Sequence, residues 1–127
     1  MLVRALATMA LVLALASPAQ AGSKTIVTPG LKPPSDGALG CRVVNASSSK
    51  PISITMAFRS ADGGALKISL FPIVIPPFGS YSSSESQDDA SHCTVGMKSG
   101  NSKDARVTVW VEDSGGDPIA AAAAHSK

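Results

Sequence analysis

The chain has 127 residues, with 11 Lys and Arg against 9 Asp and Glu, which gives a formal net charge of +2 at pH 7. The positive charges are spread along the sequence and form no basic cluster, so the composition disfavours nucleic acid and anionic membrane surfaces as partners. A chain of this length predicts one folded domain with a modest core.

The first 21 residues have the pattern of a bacterial secretory signal peptide. Arg4 supplies one positive charge, residues 5–16 are uncharged and rich in Ala and Leu, and Ala19 and Ala21 are the small residues of a cleavage site. An uncleaved anchor is the alternative, but the apolar region is shorter than the about 20 residues that a spanning helix needs. The sequence therefore predicts a periplasmic or secreted protein with no membrane span after cleavage.

Three segments follow from these patterns: a signal peptide at residues 1–21, an arm rich in Pro and Gly at residues 22–40, and a β-sandwich domain at residues 41–127. Without Arg4 the chain keeps ten Lys and Arg against nine Asp and Glu, a net charge of +1. Proline removes backbone donors, so at most residues 24–28 of the arm are expected to form a strand, and only at a sheet edge.

The two cysteines, Cys41 and Cys93, stand 52 positions apart. In an exported chain they predict one disulfide, because oxidising compartments preserve such bridges. The alternative is a pair of free thiols. Both cysteines lie in runs where apolar and polar residues alternate, so the bridge is expected to join two half-buried strands.

Alternation of apolar and polar residues predicts most of the other strands. Residues 52–58 form the clearest run, residues 61–64 predict an Asp-Gly hairpin turn, and residues 66–70 repeat the alternation on the return strand. The residues expected to face the core in this hairpin are Ile52, Ile54, Met56, Phe58, Leu66, Ile68 and Leu70.

The second half of the chain mixes broken and regular segments. Three prolines in residues 71–79 predict a short crossing or edge segment, and the serine-rich residues 81–91 predict a short strand near Tyr81 followed by a mobile loop. Residues 105–112 predict a strand with Val107, Val109 and Val111 inward. The alanines of residues 120–124 are too few for a stable isolated helix and predict a final strand.

These elements predict an all-β fold, an antiparallel β-sandwich of about seven short strands with one disulfide. The architecture is immunoglobulin-like only in general terms. No Trp follows Cys41 by a dozen residues, and Ser91 stands where a tyrosine-corner residue is expected.

The order of these features resembles small exported proteobacterial β-sandwich proteins with two cysteines, which are functionally uncharacterised. The resemblance covers most of the predicted domain and implies an exported β-sandwich, but it assigns no active residue. The matching positions are Cys41, Asn45, Ser47, Ser48, Pro51, Gly63, Gly79, Cys93, Lys98, Ser99 and residues 107–111.

Catalytic and metal chemistry have weak support in the sequence. His92, Cys93, Met97 and His125 are the ligand types of a blue-copper site. Neighbours on a strand point to opposite faces, however, and Cys93 is expected to be bridged. Neither histidine lies near a nucleophile motif. We therefore predict no catalytic residue, no metal and no cofactor.

The acidic residues of the serine-rich segment are the second place where metal chemistry could lie. They could hold a weak calcium ion, although the spacing of a twelve-residue calcium loop is missing and a solvated loop is the preferred interpretation. A small metal-dependent enzyme built around His92 and this segment stays as an alternative. The acidic residues are Glu85, Asp88 and Asp89.

The candidate binding face is the outward side of the strand at residues 105–112. Strict alternation places Arg106, Thr108 and Trp110, the only tryptophan, on this side. An exposed tryptophan predicts a contact with a partner. The alternative is that the arm or a neighbouring strand covers Trp110.

The sequence thus predicts a non-enzymatic binding or structural protein of the bacterial cell envelope. Its partner is an unknown protein or envelope component, and its oligomeric state is open. A periplasmic inhibitor or chaperone-like accessory is the alternative.

We expect the exported chain to begin at Gly22, because Ala19 and Ala21 present the small side chains that a signal peptidase needs. The intact mass of protein purified from the envelope fraction of its host tests this expectation. A mass that still includes residues 1–21 would show that the segment is an anchor.

Overall fold

The structure of the chain is a computed structural model that describes residues 24–87 and 89–124. The predicted signal peptide, Asp88 and His125 lie outside the described residues. The described chain forms nine strands and one short 3-10 helix at Ser102–Asp104. The strands are β1 (Thr25–Val27), β2 (Ala38–Asn45), β3 (Ile52–Ser60), β4 (Ala65–Ile68), β5 (Ile73–Ile75), β6 (Ser80–Glu85), β7 (Ala90–Ser99), β8 (Ala105–Glu112) and β9 (Pro118–Ala124).

The strands form two antiparallel sheets, which confirms the predicted all-β sandwich. Sheet A has the order β1-β7-β3-β4, and β5 also pairs with β3, on the same side as β4. Sheet B has the order β6-β2-β8-β9. The core lies between the sheets and is built from the inward-facing side chains of strands in both sheets.

The disulfide joins the two sheets. Cys41 lies on β2 of sheet B, Cys93 lies on β7 of sheet A, and their Cα atoms are 6.3 Å apart. Both side chains are fully buried. The predicted bridge is confirmed, and it connects an interior strand of one sheet to an interior strand of the other.

The alternation predicted for β3 and β8 is confirmed, and so is the final strand predicted from the alanines of residues 120–124. The strand at residues 118–124 pairs antiparallel with β8, so the alanines extend sheet B. The inward residues of β3 and β8 are all buried: Ile52, Ile54, Met56, Phe58, Val107, Val109 and Val111.

The β3–β4 hairpin is confirmed, but its return strand is shorter than predicted. The turn contains Gly63 at φ 93°, a conformation that glycine adopts without strain. Leu66 packs against the core, whereas Ile68 and Leu70 are exposed, so their predicted inward orientation is wrong. The β3–β4 register shifts between Phe58 and Arg59, which sets Ile68 opposite Ala57 and Lys67 opposite the core residue Phe58. After Ile68 the chain bulges out before β5 resumes pairing with β3.

The serine-rich segment is also more regular than predicted. It forms β6, which pairs with β2 along its whole length, and β7 begins at Ala90. The short strand predicted near Tyr81 is β6, and the loop predicted to follow it is shorter than expected, because residues 82–85 and 90–91 belong to strands. An edge strand is held by backbone hydrogen bonds to one neighbour, so it needs few apolar side chains, and apolar content is what the prediction relied on.

The predicted edge strand in the arm forms β1, which pairs with β7. Beyond β1 the arm stays on this edge. The Thr28 N–H donates to the Cys93 carbonyl at 3.0 Å, and the Cys93 N–H donates to the Thr28 hydroxyl at 2.9 Å. The Leu31 N–H donates to the Ser91 carbonyl at 2.8 Å. Residues 24–31 are thus tied to the strand that carries the disulfide.

Replacing both Cys41 and Cys93 by Ala should lower the free energy of unfolding by about 4 kcal/mol, because the bridge closes a long loop in the unfolded chain. Urea denaturation of the variant and the parent chain without reductant measures the difference. The parent chain should also show no titratable thiol when it is unfolded without reductant. Two thiols in that titration would contradict the bridge.

Candidate binding face

The residues of the predicted binding face lie together on the outer surface of sheet B. Antiparallel pairing of β8 with β2 sets Thr108 opposite Arg42 and Trp110 opposite Gly40. Arg42 therefore joins the face. The sequence predicts that Arg42 points outward, but it cannot show which strand lies beside β2. We call Arg42, Arg106, Thr108 and Trp110 the tryptophan face.

Trp110 points away from the core and is half-buried. A Cβ atom built on Gly40 would lie 2.1 Å from the indole Cε2 atom, so the ring occupies the space that a side chain at Gly40 would need. The indole N–H donates to the Glu112 carboxylate at 3.2 Å. Strand β2 therefore covers one side of the ring, and Glu112 fixes its orientation.

Small side chains flank the tryptophan face on both sides. Strand β6 places Ser84 beside Gly40 and Ser82 beside Arg42. Strand β9 places Ala121 beside Trp110 and Ala123 beside Thr108, and both alanines are exposed. A planar or extended partner could approach this low surface without a clash with larger side chains.

The tryptophan face carries positive charge. The Arg42 side chain is exposed and forms no hydrogen bond or ion pair among the residues that the structure describes. Arg106 is exposed, and its guanidinium donates to the Lys103 carbonyl. The carboxylate on this surface, Glu112, is engaged by the indole N–H. The free donors of the arginines match a partner with carboxylate or phosphate groups.

The structure separates the residues of the copper hypothesis. Cys93 is bridged and offers no thiolate. His92 stands opposite Arg59 in the β3–β7 pairing, away from the core residues of β7. Within residues 24–87 and 89–124, no group of three or more His, Cys, Asp or Glu side chains could hold a metal ion.

An open groove of about 910 Å³ lies between the arm, the β3–β4 turn and the start of β7. Asp62 and Asp89 contribute carboxylates, Lys32 contributes an ammonium group, and Leu31 and Ala90 contribute apolar surface. The described lining has no histidine that could serve as a base. Hydrogen bonds from the Ser60 hydroxyl and the Gly64 N–H hold the pKa of Asp62 below its usual value.

The comparisons with known proteins bear on the fold. No family model matches the chain, and no curated protein matches it. Among solved structures it is similar to the crystal structure of Thermotoga maritima 1070, with 9% sequence identity and a TM-score of 0.57. The match covers 84% of this chain and 96% of that chain. At this identity the likeness shows a shared fold and no shared activity.

No helix in the described residues has the length and hydrophobicity needed to cross a membrane.

We expect Gly40→Ala to displace the indole of Trp110, because the new methyl group would overlap the ring. Tryptophan emission should shift to longer wavelength, and iodide should quench it more efficiently than in the parent chain. Gly96→Ala on β7 is the matched control, since the nearest atom to its new methyl group is the Thr55 hydroxyl at 2.8 Å, which a rotamer change can move. Unchanged quenching in Gly40→Ala would mean that the ring does not rest on β2.

Proposed function

We propose that the protein is an exported, non-enzymatic binding protein of the bacterial cell envelope, periplasmic or secreted, which uses the tryptophan face to bind a partner with acidic groups. The observation that carries this proposal is the position of Arg42 on the strand beside Trp110, opposite Thr108, where its side chain is exposed and has no polar partner within the described part of the chain. A guanidinium and an indole that share one low surface are typical of binding hot spots.

The proposed compartment is supported by the disulfide and by the pattern of the N-terminal residues. A fully buried bridge is expected where the environment is oxidising, and residues 1–21 have the composition of a signal peptide. The resemblance to small exported proteobacterial proteins supports the same assignment. The proposed localisation is therefore the periplasm or the extracellular space.

The indole of the tryptophan face is held in place before any partner binds. The indole is held by Gly40 below it and by the hydrogen bond to Glu112, so binding would cost little side-chain entropy at this position. Arg42 and Thr108 stand opposite each other on neighbouring strands and move together with the sheet. A partner could stack on the indole while its acidic groups contact the arginines.

Alternative functions place different demands on the chain. A periplasmic inhibitor or chaperone-like accessory would use the same kind of surface and would differ in the identity of the partner. A metal-dependent enzyme would need ligands around His92, and the neighbour of His92 in the β3–β7 pairing is the cation Arg59. The surroundings of His92 thus give a metal site little support, whereas the tryptophan face supports binding as the function.

The proposal predicts that acidic polymers quench or shift the emission of Trp110, the only tryptophan. Polyglutamate tests acidic protein as the source of the charge, and polygalacturonate tests acidic polysaccharide. Arg42→Gln should weaken binding at least about tenfold, as expected for the loss of a charged hot-spot contact. Lys98→Gln, a change of an exposed cation on sheet A, should leave the affinity unchanged.

Capture from a detergent extract of the host envelope extends the test to natural partners. Molecules retained by the parent chain and lost with Arg42→Gln would be partners of the tryptophan face. Equal retention by the parent chain, Arg42→Gln and Trp110→Ala would refute this face as the binding site.

A further inference from the structure

We propose that a second copy of this chain binds to one edge of the sandwich, so that two chains form a symmetric dimer. This inference goes beyond the proposed function and uses a surface that does not include the tryptophan face. The surface follows β4, β5 and the turn after β5, and we call it the apolar edge. Its side chains are Ile68, Leu70, Phe71, Val74 and Phe78.

Exposed apolar side chains are concentrated on this edge. Of the seven large hydrophobic residues exposed in the described chain, these five fall within eleven consecutive residues. Leu70 is 88% exposed and Phe71 is 78% exposed. Residues 68–84 contain no charged residue. Single exposed apolar residues are common, but a cluster of this kind marks a contact surface.

The fold creates the apolar edge through a bulge. Strands β4 and β5 both pair with β3, Ile68 opposite Ala57 and Ile73 opposite Ile54. Between these two pairs the edge advances by five residues while β3 advances by three. The extra residues form the bulge that carries the exposed Leu70. The Ser69 N–H still donates to the Met56 carbonyl at 2.9 Å, which holds the base of the bulge.

Phe78 adds an aromatic ring at the end of the edge, and its backbone is strained. Its φ is 58°, and it is the only residue other than glycine with positive φ in the described chain. The Gly79 N–H donates to the Pro76 carbonyl at 2.8 Å, which closes a turn where Gly or Asn is expected at the position of Phe78. The ring is 72% exposed, so packing within one chain does little to offset the strain.

A buried asparagine holds this strained turn in place. The Asn45 amide donates to the Ile75 carbonyl at 3.1 Å and to the Pro76 carbonyl at 3.3 Å. The Phe78 N–H donates to the Ser47 carbonyl at 3.2 Å. The turn is thus tied to β2 and to the residues after it, and Phe78 is presented on a rigid support.

The size of the apolar edge fits a protein interface. A large apolar residue has an accessible surface of roughly 150–200 Å² when it is fully exposed. With the exposed fractions of these five residues, the apolar edge exposes on the order of 600 Å². A standard interface buries about 800 Å² on each partner, so the apolar edge supplies most of one side.

A second copy is the occupant that this surface favours. The five side chains of the apolar edge carry no charge and complement themselves under a twofold axis, as an isologous contact requires. The cation next to them on β4, Lys67, donates a hydrogen bond to the Ser84 carbonyl at 3.1 Å. The described ends of the chain are on the other side of the sandwich. Strand β1 is the edge of sheet A away from β4, and β9 is the edge of sheet B away from β6, the strand that accepts hydrogen bonds from Lys67 of β4. They are not placed to cover the apolar edge.

Sedimentation velocity on the chain beginning at Gly22, between about 1 µM and 1 mM, tests this inference. We expect a reversible dimer that persists at high salt, because apolar contact is not screened. Leu70→Ser combined with Phe71→Ser should raise the dissociation constant at least about 100-fold. Val27→Ser combined with Ile119→Ser, at exposed apolar sites on the other edges, should leave it unchanged. Circular dichroism and urea denaturation check that each variant is folded.

A photo-crosslinking residue in place of Phe71 identifies what touches the edge. Recovery of a crosslinked homodimer supports the inference. A chain that stays monomeric over the whole concentration range, or a dimer that survives the Leu70 and Phe71 substitutions, overturns it. Crosslinks only to another envelope protein, or binding of the monomer to phosphatidylcholine vesicles that the same substitutions abolish, would also overturn it and assign the edge to that occupant.

Discussion

The disulfide between Cys41 and Cys93 is the constraint on which the rest of the structure depends. It joins β2 and β7, the interior strands that hold the two sheets in place. Strand β7 pairs with β1 and β3, and strand β2 pairs with β6 and β8. A crosslink between these two strands therefore ties the two sheets together at the centre of the core with one covalent bond. For a small domain with a modest core, such a crosslink is a large share of the total stability.

The strand that carries Cys41 also builds the tryptophan face. On β2, Cys41 points into the core while its neighbours Gly40 and Arg42 point outward, one beneath Trp110 and the other opposite Thr108. The same backbone segment is thus held by the disulfide on one side and forms the floor of the face on the other. A binding surface on a rigid strand keeps its geometry better than one on a loop, which is what a preorganised contact needs.

The two proposed contact surfaces have different physical characters and different positions. The tryptophan face lies on the outer surface of sheet B and combines an aromatic ring with two cations. The apolar edge lies along β4 and β5 of sheet A and continues into the turn at Phe78. A dimer through the apolar edge leaves the tryptophan face of each chain free. Such a dimer would carry two tryptophan faces. Once one face has bound a polymeric partner, the second face binds the same molecule intramolecularly, which raises the avidity without any new contact.

The sequence by itself determined the features that depend on near neighbours in the chain. Alternation along β3 and β8 identified the core residues, and Asp62 with Gly63 identified the hairpin, because strand faces and tight turns are local properties. The tertiary structure decided which strands lie side by side. It set Arg42 opposite Thr108 and Gly40 beneath Trp110. It also shifted the register that exposes Ile68 and formed the bulge that exposes Leu70. These outcomes depend on pairing between residues far apart in the sequence, and alternation fixes only the face of a strand, never its neighbour.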